Sequence, residues 1–285
     1  MTFVSLHEVG PRDGLQNEKR VIPVAEKVAL IDLLGRSGLR DIEVGSFVSP
    51  KWVPQMAETP QVMARIAPAA GVRYGVLVPN IRGWDGFVAA RQPGVVYEVA
   101  VFVAASEGFS QANLNCTVAQ SIARLEPVVN AAQAAGVALR GYISCVTDCP
   151  FDGKVSPEAV AQVAAALRRL APMPLSLGDT IGAGKPATVA AMLDAVLDVV
   201  PAAELAGHFH DTGGQALANI AVALDKGFRA FDSAVGGLGG CPYAPGAPGN
   251  VATEAVLEML HAEGFTTHVD PAVIAAAAKM AKGMR

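Results

Sequence analysis

Short β-like runs alternate with amphipathic helix-like runs along the whole chain, and no other feature constrains its fold as strongly. Strands that alternate with helices form a parallel sheet in which each helix is a crossover connection. Eight such units in 285 residues predict an α/β chain folded as one (β/α)8 TIM barrel. The eight β-like runs are Val4–Val9, Asp41–Ser46, Tyr74–Pro79, Val95–Val103, Leu139–Ser144, Leu175–Asp179, Leu205–His210 and Ala230–Val235.

Seven helix-like segments lie between these strands, and two more close the chain. An open, doubly wound sheet is the alternative fold, and it carries a Gly-x-Gly-x-x-Gly loop after its first strand. The turn at that place reads Gly10-Pro11-Arg12-Asp13-Gly14 and lacks this pattern. We therefore predict a single catalytic domain over residues 1–285, with extra C-terminal helices from about residue 252. The segments are Ala25–Ser37, Pro60–Ile66, Gly83–Arg91, Val118–Ala135, Pro157–Leu170, Ala187–Val199, Ala216–Lys226, Thr253–Glu263 and Pro271–Met280.

Charge and hydropathy exclude two classes of partner. The 22 basic and 26 acidic residues are spread along the chain without a basic block, which argues against nucleic acid. No stretch approaches the roughly 20 apolar residues of a membrane helix. The first β-like run begins close to Phe3, which leaves no room for a signal peptide. We expect a cytoplasmic protein that has neither nucleic acid nor a membrane as its partner.

Two of the five histidines of the chain lie in the sequence His208-Phe209-His210-Asp211, where the seventh β-like run ends. Successive side chains of a strand point to opposite faces, so His208 and His210 share one face, about 7 Å apart along the strand. Two imidazoles on one face can bind a single metal ion. Two unrelated buried histidines are the alternative interpretation.

Reactive side chains are concentrated where the β-like runs end, which is the active-site end of a parallel barrel. A hard divalent cation prefers oxygen ligands together with one or two imidazoles. Asp13 can supply a carboxylate and Asn250 an amide oxygen, although each could instead cap a turn or a helix. The residues at this end are Glu8, Arg12, Asp13, Glu43, Ser46, Asp179, Thr180, His208, His210 and the Gly-rich loop from Gly236 to Asn250.

Five blocks of the sequence resemble 3-hydroxy-3-methylglutaryl-CoA lyases, and the resemblance extends from Val4 to about Leu260. The second and fifth blocks are specific to the lyases. The Arg-Asp and His-x-His elements are shared with a wider superfamily of metal-dependent Claisen-type barrels, which includes isopropylmalate and homocitrate synthases. The blocks are Val9–Glu18, Ser46–Met56, Ser176–Gly182, His208–Thr212 and Gly236–Tyr243.

The resemblance implies a carbon–carbon lyase of leucine degradation and ketone body formation. Its substrate would be 3-hydroxy-3-methylglutaryl-CoA, or a close 3-hydroxy-3-alkylglutaryl-CoA. The products would be acetyl-CoA and acetoacetate, or the matching 3-oxo acid. The resemblance also implies a homodimer and no organic cofactor beyond the CoA of the substrate. It implies that Mg²⁺ or Mn²⁺ is bound by four residues, which are Asp13, His208, His210 and Asn250.

The chemistry of such a cleavage explains several of these residue types. Loss of the proton of the tertiary hydroxyl breaks the C2–C3 bond and places charge on the thioester oxygen, which the cation of Arg12 can stabilise. Cys241, a thiol on a Gly-rich loop that suits a mobile lid, can then protonate C2. The general base is either His208 or Asp13, although both are also predicted metal ligands. Glu43 and Asp179 belong to the site through the resemblance and could orient Arg12 or the base.

We further predict that the substrate contacts Arg12, Gln16, Ser46 and Thr180. Two other functions are open alternatives. An acetyl-CoA-dependent condensing synthase would use the same chemistry in the opposite direction. A catalytically inactive barrel that serves as a scaffold would lack some of the metal ligands, whereas the set in this chain is complete.

Overall fold

The eight strands close into a barrel in the computed structural model, which describes residues 2–241 and 244–285, with side chains described at 2–239 and 249–285. All neighbouring strands are parallel, and β1 pairs with both β8 and β2, which completes the circle. The prediction of a (β/α)8 barrel is confirmed, and the open sheet is wrong. The barrel strands are β1 Ser5–Glu8, β2 Asp41–Ser46, β3 Arg73–Leu77, β4 Tyr97–Ala104, β5 Ala138–Ser144, β6 Leu175–Asp179, β7 Leu205–Phe209 and β8 Ala230–Ser233.

Ten helices surround the barrel in the described part of the chain. One helix follows each strand, except that two follow β4, and α10 lies beyond the eight repeating units. The helices are α1 Val24–Leu34, α2 Thr59–Arg65, α3 Ile81–Ala90, α4 Glu107–Leu114, α5 Val118–Ala134, α6 Pro157–Leu170, α7 Pro186–Leu197, α8 Ala216–Asp225, α9 Thr253–Ala262 and α10 Pro271–Lys282. The C-terminal helices α9 and α10 agree with the prediction of extra helices from about residue 252. No helix among the described residues is long and apolar enough to cross a membrane.

Helix α4 is the one helix that the sequence pattern did not predict. Four of its eight residues are polar and one is Gly108, so they lack the apolar repeat that identifies a buried helical face. The helix ends at Asn115, whose φ of 51° is left-handed, a conformation that Asn adopts more readily than most residues. Helix α6, in contrast, has the predicted bounds because Ser156 caps it and Pro157 occupies its first position.

The barrel is apolar on its outer side, and buried charged side chains lie within it. Val99, Val101 and Val103 of β4 join the large hydrophobic cluster that packs the strands against the helices. Inside, Arg140 of β5 forms an ion pair with Asp232 of β8. Strands β6 and β7 separate these two strands, so this contact crosses the interior of the barrel.

Two short hairpins extend from the carboxyl ends of the strands. Asp148–Cys149 pairs with Gly153–Lys154 after β5. Gly240–Cys241 pairs with Ala244–Pro248 after β8, within the predicted Gly-rich loop. Both hairpins therefore lie at the end of the barrel where the sequence predicts the active site.

Candidate active site

A single π-type turn, Gly10–Gly14, follows β1 and brings Arg12 and Asp13 to the mouth of the barrel. Gly10 and Gly14 must lack side chains because neighbouring atoms approach them closely. A Cβ at Gly10 would lie 2.5 Å from the Oε1 atom of Glu8, and one at Gly14 would lie 2.6 Å from the Cβ of Leu238. The Gly-Pro-Arg-Asp-Gly sequence is therefore what allows this turn to pack against β1 and the loop after β8.

Three acceptor atoms, from the chain at the end of β7 and from the turn after β1, converge at the mouth. The Nε2 atoms of His208 and His210 lie 3.3 Å apart. Each of them is 4.0 Å from the Oδ2 atom of Asp13. The strand parity inferred from the sequence thus places both imidazoles on one side, as expected. The candidate ligand atoms of Asp13, His208 and His210 all lie within 4.8 Å of one another.

The charge states of these groups suit a cation. Burial would raise the pKa of Asp13, but Arg12 and the two imidazoles lower it to about 2, so its carboxylate is ionised. Burial, together with neighbouring His208, lowers the pKa of His210 to about 4 and leaves its imidazole neutral. Burial would lower the pKa of His208, but its contacts with Asp232 and Asp13 raise it, so a cation would bind there in place of a proton. An ionised carboxylate beside two imidazole nitrogens is a donor set that fits a hard divalent ion. The chemistry of this donor set is therefore compatible with Mg²⁺ or Mn²⁺.

Two amide side chains complete the surroundings of Asp13. Gln16 Nε2 donates to Asp13 Oδ1 at 2.8 Å, and Asn250 Nδ2 donates to Asp13 Oδ2 at 2.8 Å. Asn250 is held at this place by a backbone bridge to His210. The predicted role of Asn250 as an oxygen ligand requires its amide to turn over, because here the nitrogen faces the carboxylate. Gln16 supports Asp13 in this arrangement, and its predicted contact with substrate stays a prediction.

Arg12 is buried between two carboxylates. Its Nε donates to Glu43 Oε2 at 2.7 Å, and its Nη1 donates to Asp13 Oδ1 at 2.8 Å. Arg12 is 5% exposed and Glu43 is fully buried, so the guanidinium is fixed in position. Burial raises the pKa of Glu43 more than its contact with Arg12 lowers it. Glu43 makes the contact with Arg12 that its predicted orienting role requires, and the role itself stays a prediction.

Three other predicted residues make hydrogen bonds that organise the loops after β2, β5 and β6. Asp179 accepts hydrogen bonds from Thr147 Oγ1 at 3.0 Å and from the Gly184 amide at 2.9 Å. Thr180 Oγ1 accepts from the backbone amide of residue 145 at 2.8 Å. Ser46 Oγ accepts from the amide of residue 48 at 3.1 Å. Their predicted contacts with substrate or with the reaction stay predictions, and the side chain of Cys241 lies outside the described residues.

The sequence interpretation missed one residue at the site. Asp232 of β8 lies behind His208, and its Oδ2 atom is 3.0 Å from His208 Nδ1. Asp232 lies within a strand and does not follow one, so a search of strand ends does not find it. Its signal is a charged residue inside a β-like run, in phase with the interior of the barrel.

A parallel eight-stranded barrel that gathers a carboxylate and two imidazoles at the carboxyl ends of its strands defines a barrel enzyme with a candidate divalent-metal centre. The chain belongs to the HMGL-like family, whose model matches residues 4–281.

Named relatives agree with this assignment. The chain is 53% identical to a hydroxymethylglutaryl-CoA lyase of Pseudomonas mevalonii, over 96% of this chain and 90% of the relative. It is 55% identical to a 3-hydroxy-3-isohexenylglutaryl-CoA/hydroxy-methylglutaryl-CoA lyase of Pseudomonas aeruginosa, over 94% of this chain and 88% of the relative. A crystal structure of the HMG-CoA lyase from Brucella melitensis superposes with a TM-score of 0.97 at 57% identity, and covers 100% of this chain and 99% of that one.

Proposed function

We propose that this chain is a divalent-metal-dependent lyase that cleaves 3-hydroxy-3-methylglutaryl-CoA to acetyl-CoA and acetoacetate. The observation that carries the proposal is the convergence of Asp13, His208 and His210 beside the buried cation of Arg12. The names of relatives that share more than half of the aligned residues support the substrate. The synthase alternative lacks such support, because these relatives are named as lyases.

Mg²⁺ or Mn²⁺ would be held by Asp13, His208, His210 and, after its amide turns over, Asn250. When bound, the cation would polarise the tertiary hydroxyl of the substrate and lower its pKa. Asp13 is suited to this role because Arg12 and Gln16 bond its Oδ1 atom, while its Oδ2 atom faces the imidazoles and would lose only the Asn250 hydrogen bond when that amide turns over. The general base stays a choice between His208 and Asp13.

Arg12 would stabilise the charge that develops on the thioester oxygen when the C2–C3 bond breaks. Its guanidinium remains cationic although buried, since Glu43 and Asp13 both contact it. A donor that is fixed before the reaction needs no reorganisation as charge appears, which is the basis of such electrostatic stabilisation. Glu43 contributes by holding this donor in place.

Cys241 would deliver the proton that converts the enolate into the methyl group of acetyl-CoA. A thiol has a reference pKa of about 8.5, which suits a general acid near neutral pH. The loop that carries it is anchored close to the candidate metal centre. Asn250 ends this loop and donates to both Asp13 and the carbonyl of Leu238. The predicted homodimer stays a prediction beside this proposal.

A panel of acyl-CoA substrates tests the function. We expect metal-loaded protein to release acetyl-CoA from 3-hydroxy-3-methylglutaryl-CoA. A parallel assay with 3-hydroxy-3-isohexenylglutaryl-CoA tests the longer alkyl group, which the name of the P. aeruginosa relative includes. Release of free CoA from acetyl-CoA and a 2-oxo acid, with no acetyl-CoA formed from either hydroxyacyl-CoA, would instead establish a synthase and overturn the proposal.

A further inference from the structure

The carboxylate of Asp232 is completely engaged below the mouth of the barrel. Its Oδ2 atom lies 3.0 Å from His208 Nδ1 and accepts a hydrogen bond from Ser176 Oγ at 2.6 Å. Its Oδ1 atom accepts from Arg140 Nη2. Asp232 is 2% exposed and Arg140 is 5% exposed, so bulk water does not compete for these contacts.

Four consecutive strands supply this group of side chains. Arg140 comes from β5, Ser176 from β6, His208 from β7 and Asp232 from β8. Each side chain is therefore fixed by a different strand of a closed barrel, and the carboxylate cannot turn away from the imidazole without breaking contacts on the other side of the interior. The arrangement is rigid because its members do not share one flexible loop.

The ionised state of Asp232 decides which nitrogen of His208 carries the proton. Arg140 is a permanent cation that can only donate, and its ion pair with the Oδ1 atom, beside the hydrogen bond that Ser176 donates to Oδ2, is the arrangement of an ionised carboxylate. An ionised carboxylate only accepts hydrogen bonds, so the Nδ1 atom of His208 must carry a proton. In the neutral imidazole the lone pair is then on Nε2, the atom that faces His210 and Asp13.

We infer that Asp232 is a positioning residue that holds His208 with its Nε2 lone pair directed at the candidate metal site. Arg140 and Ser176 act through Asp232, since they keep its carboxylate ionised and oriented. The inference rests on the proposed function, because it assigns Asp232 to the same metal centre. Partners of this kind commonly change metal affinity by about 10- to 100-fold when they are removed.

Direct binding of Mn²⁺ to the full-length, metal-depleted protein tests the inference. We expect Asp232→Asn to weaken Mn²⁺ binding by about 10- to 100-fold in titrations followed by electron paramagnetic resonance. Asp41→Asn is the matched control, since Asp41 also accepts hydrogen bonds from an arginine, Arg73, at the opposite end of the barrel. Wild-type affinity in folded Asp232→Asn protein would overturn the inference.

A second measurement does not depend on the folding of a variant that leaves Arg140 unpaired. Nitrogen-15 NMR of the histidine side chains in the wild-type, Mg²⁺-loaded protein reports which nitrogen of His208 is protonated, and His208→Gln assigns its signals. We expect a protonated Nδ1 atom. A proton on Nε2 would overturn the inference even if Mn²⁺ binds. Absence of any Mn²⁺ binding by the wild-type protein would overturn the proposed metal centre itself.

Discussion

The two ends of the barrel both contain a buried or half-buried arginine between two carboxylates, yet they differ in what surrounds it. At the amino end, Arg73 lies 2.7 Å from Asp41 and 3.6 Å from Glu98. At the carboxyl end, Arg12 lies 2.6 Å from Glu43 and 2.8 Å from Asp13. Among the described residues, a second carboxylate oxygen faces further acceptors only at the carboxyl end, where the two imidazoles lie in and directly after β7.

This difference shows when charge inside a barrel is functional. An arginine that satisfies the carboxylates around it forms an internally compensated group, which stabilises the fold only weakly. At the carboxyl end, the Oδ2 atom of Asp13 accepts from the Asn250 amide, and two imidazole nitrogens also face this oxygen, so their convergence needs an explanation other than stability. The acceptor surplus around Asp13, meaning its Oδ2 atom and the two imidazole nitrogens that face it, is therefore a stronger indication of function than the number of charged residues.

The largest expected difference between the two ends of the barrel, in Mn²⁺ binding and in activity, is that between Asp13→Asn and Asp41→Asn. The first substitution removes the ionised oxygen that faces both imidazoles, so we expect loss of measurable Mn²⁺ binding and of acetyl-CoA release. The second leaves all three converging atoms unchanged, and we expect both properties to persist. Isothermal titration with Mn²⁺ and the cleavage assay check this, and an active Asp13→Asn protein would remove the distinction between the two ends.

Cys241→Ala tests whether the loop beside the acceptor surplus takes part in the chemistry. Loss of a general acid costs about 10²- to 10⁴-fold in kcat. Cys116→Ala is the matched control, because Cys116 is a buried free thiol that contacts none of the three acceptor residues. Steady-state kinetics, with a thermal melt to verify the fold of each variant, measures this loss. If the kcat of Cys241→Ala stayed near that of Cys116→Ala, Cys241 would be excluded from the mechanism.

Arg12→Gln against Arg73→Gln compares the two arginines directly. Removal of one preorganised donor to a developing oxyanion costs about 10²- to 10³-fold in kcat. We expect this loss for Arg12→Gln, with a much smaller change in substrate affinity, and near-normal turnover for Arg73→Gln. If Arg12→Gln changed KM alone, the guanidinium would be a binding group.

Glu8 is a buried carboxylate in a third kind of environment, and we expect its substitution to have the smallest effect of the variants considered. It accepts hydrogen bonds from the amides of Gly10 and Val235 and from the hydroxyl of Thr253, but no cation contacts it. Burial therefore raises its pKa to about 7, in spite of those three bonds, whereas Arg12 and the imidazoles lower that of Asp13 to about 2. The contrast shows what a nearby cation does to a carboxylate in the same interior.

Because the raised pKa of Glu8 favours the protonated form in the folded state, stability from this group is present below pH 4.5 and is lost as the pH rises through about 7. Glu8→Gln removes this dependence. We expect the free energy of unfolding of the variant, relative to wild type, to increase between pH 5 and pH 7, by at most about 1.4 kcal/mol per pH unit for one proton. Urea unfolding at several pH values measures it, and parallel curves would show that Glu8 titrates normally.

The sequence predicted the barrel well because its signal is repeated. Eight strand-like runs and their crossovers each carry an independent apolar pattern, and the structure places every strand end within two residues of the prediction. Parity along the strand likewise placed His208 and His210 on one side. Such local patterns are readable because neighbouring residues determine them.

Contacts between distant strands could not be predicted in the same way. The pairing of Arg140 with Asp232 joins β5 to β8 and depends on closure of the barrel. Asp179 ends β6 as expected, and it accepts hydrogen bonds from Thr147 and from the Gly184 amide. Its part in the reaction stays a prediction, because a contact with substrate depends on more than the position of a residue in its strand.

The most direct test of the account is the cleavage activity of protein stripped of divalent metal by a chelator, with the metal content verified by elemental analysis. We predict that the stripped protein releases no acetyl-CoA from 3-hydroxy-3-methylglutaryl-CoA. We further predict that added Mn²⁺ or Mg²⁺ restores activity in proportion to the occupied fraction of the Asp13–His208–His210 site. Full activity in protein verified to be free of divalent metal would contradict the central claim that this acceptor cluster is a catalytic metal centre.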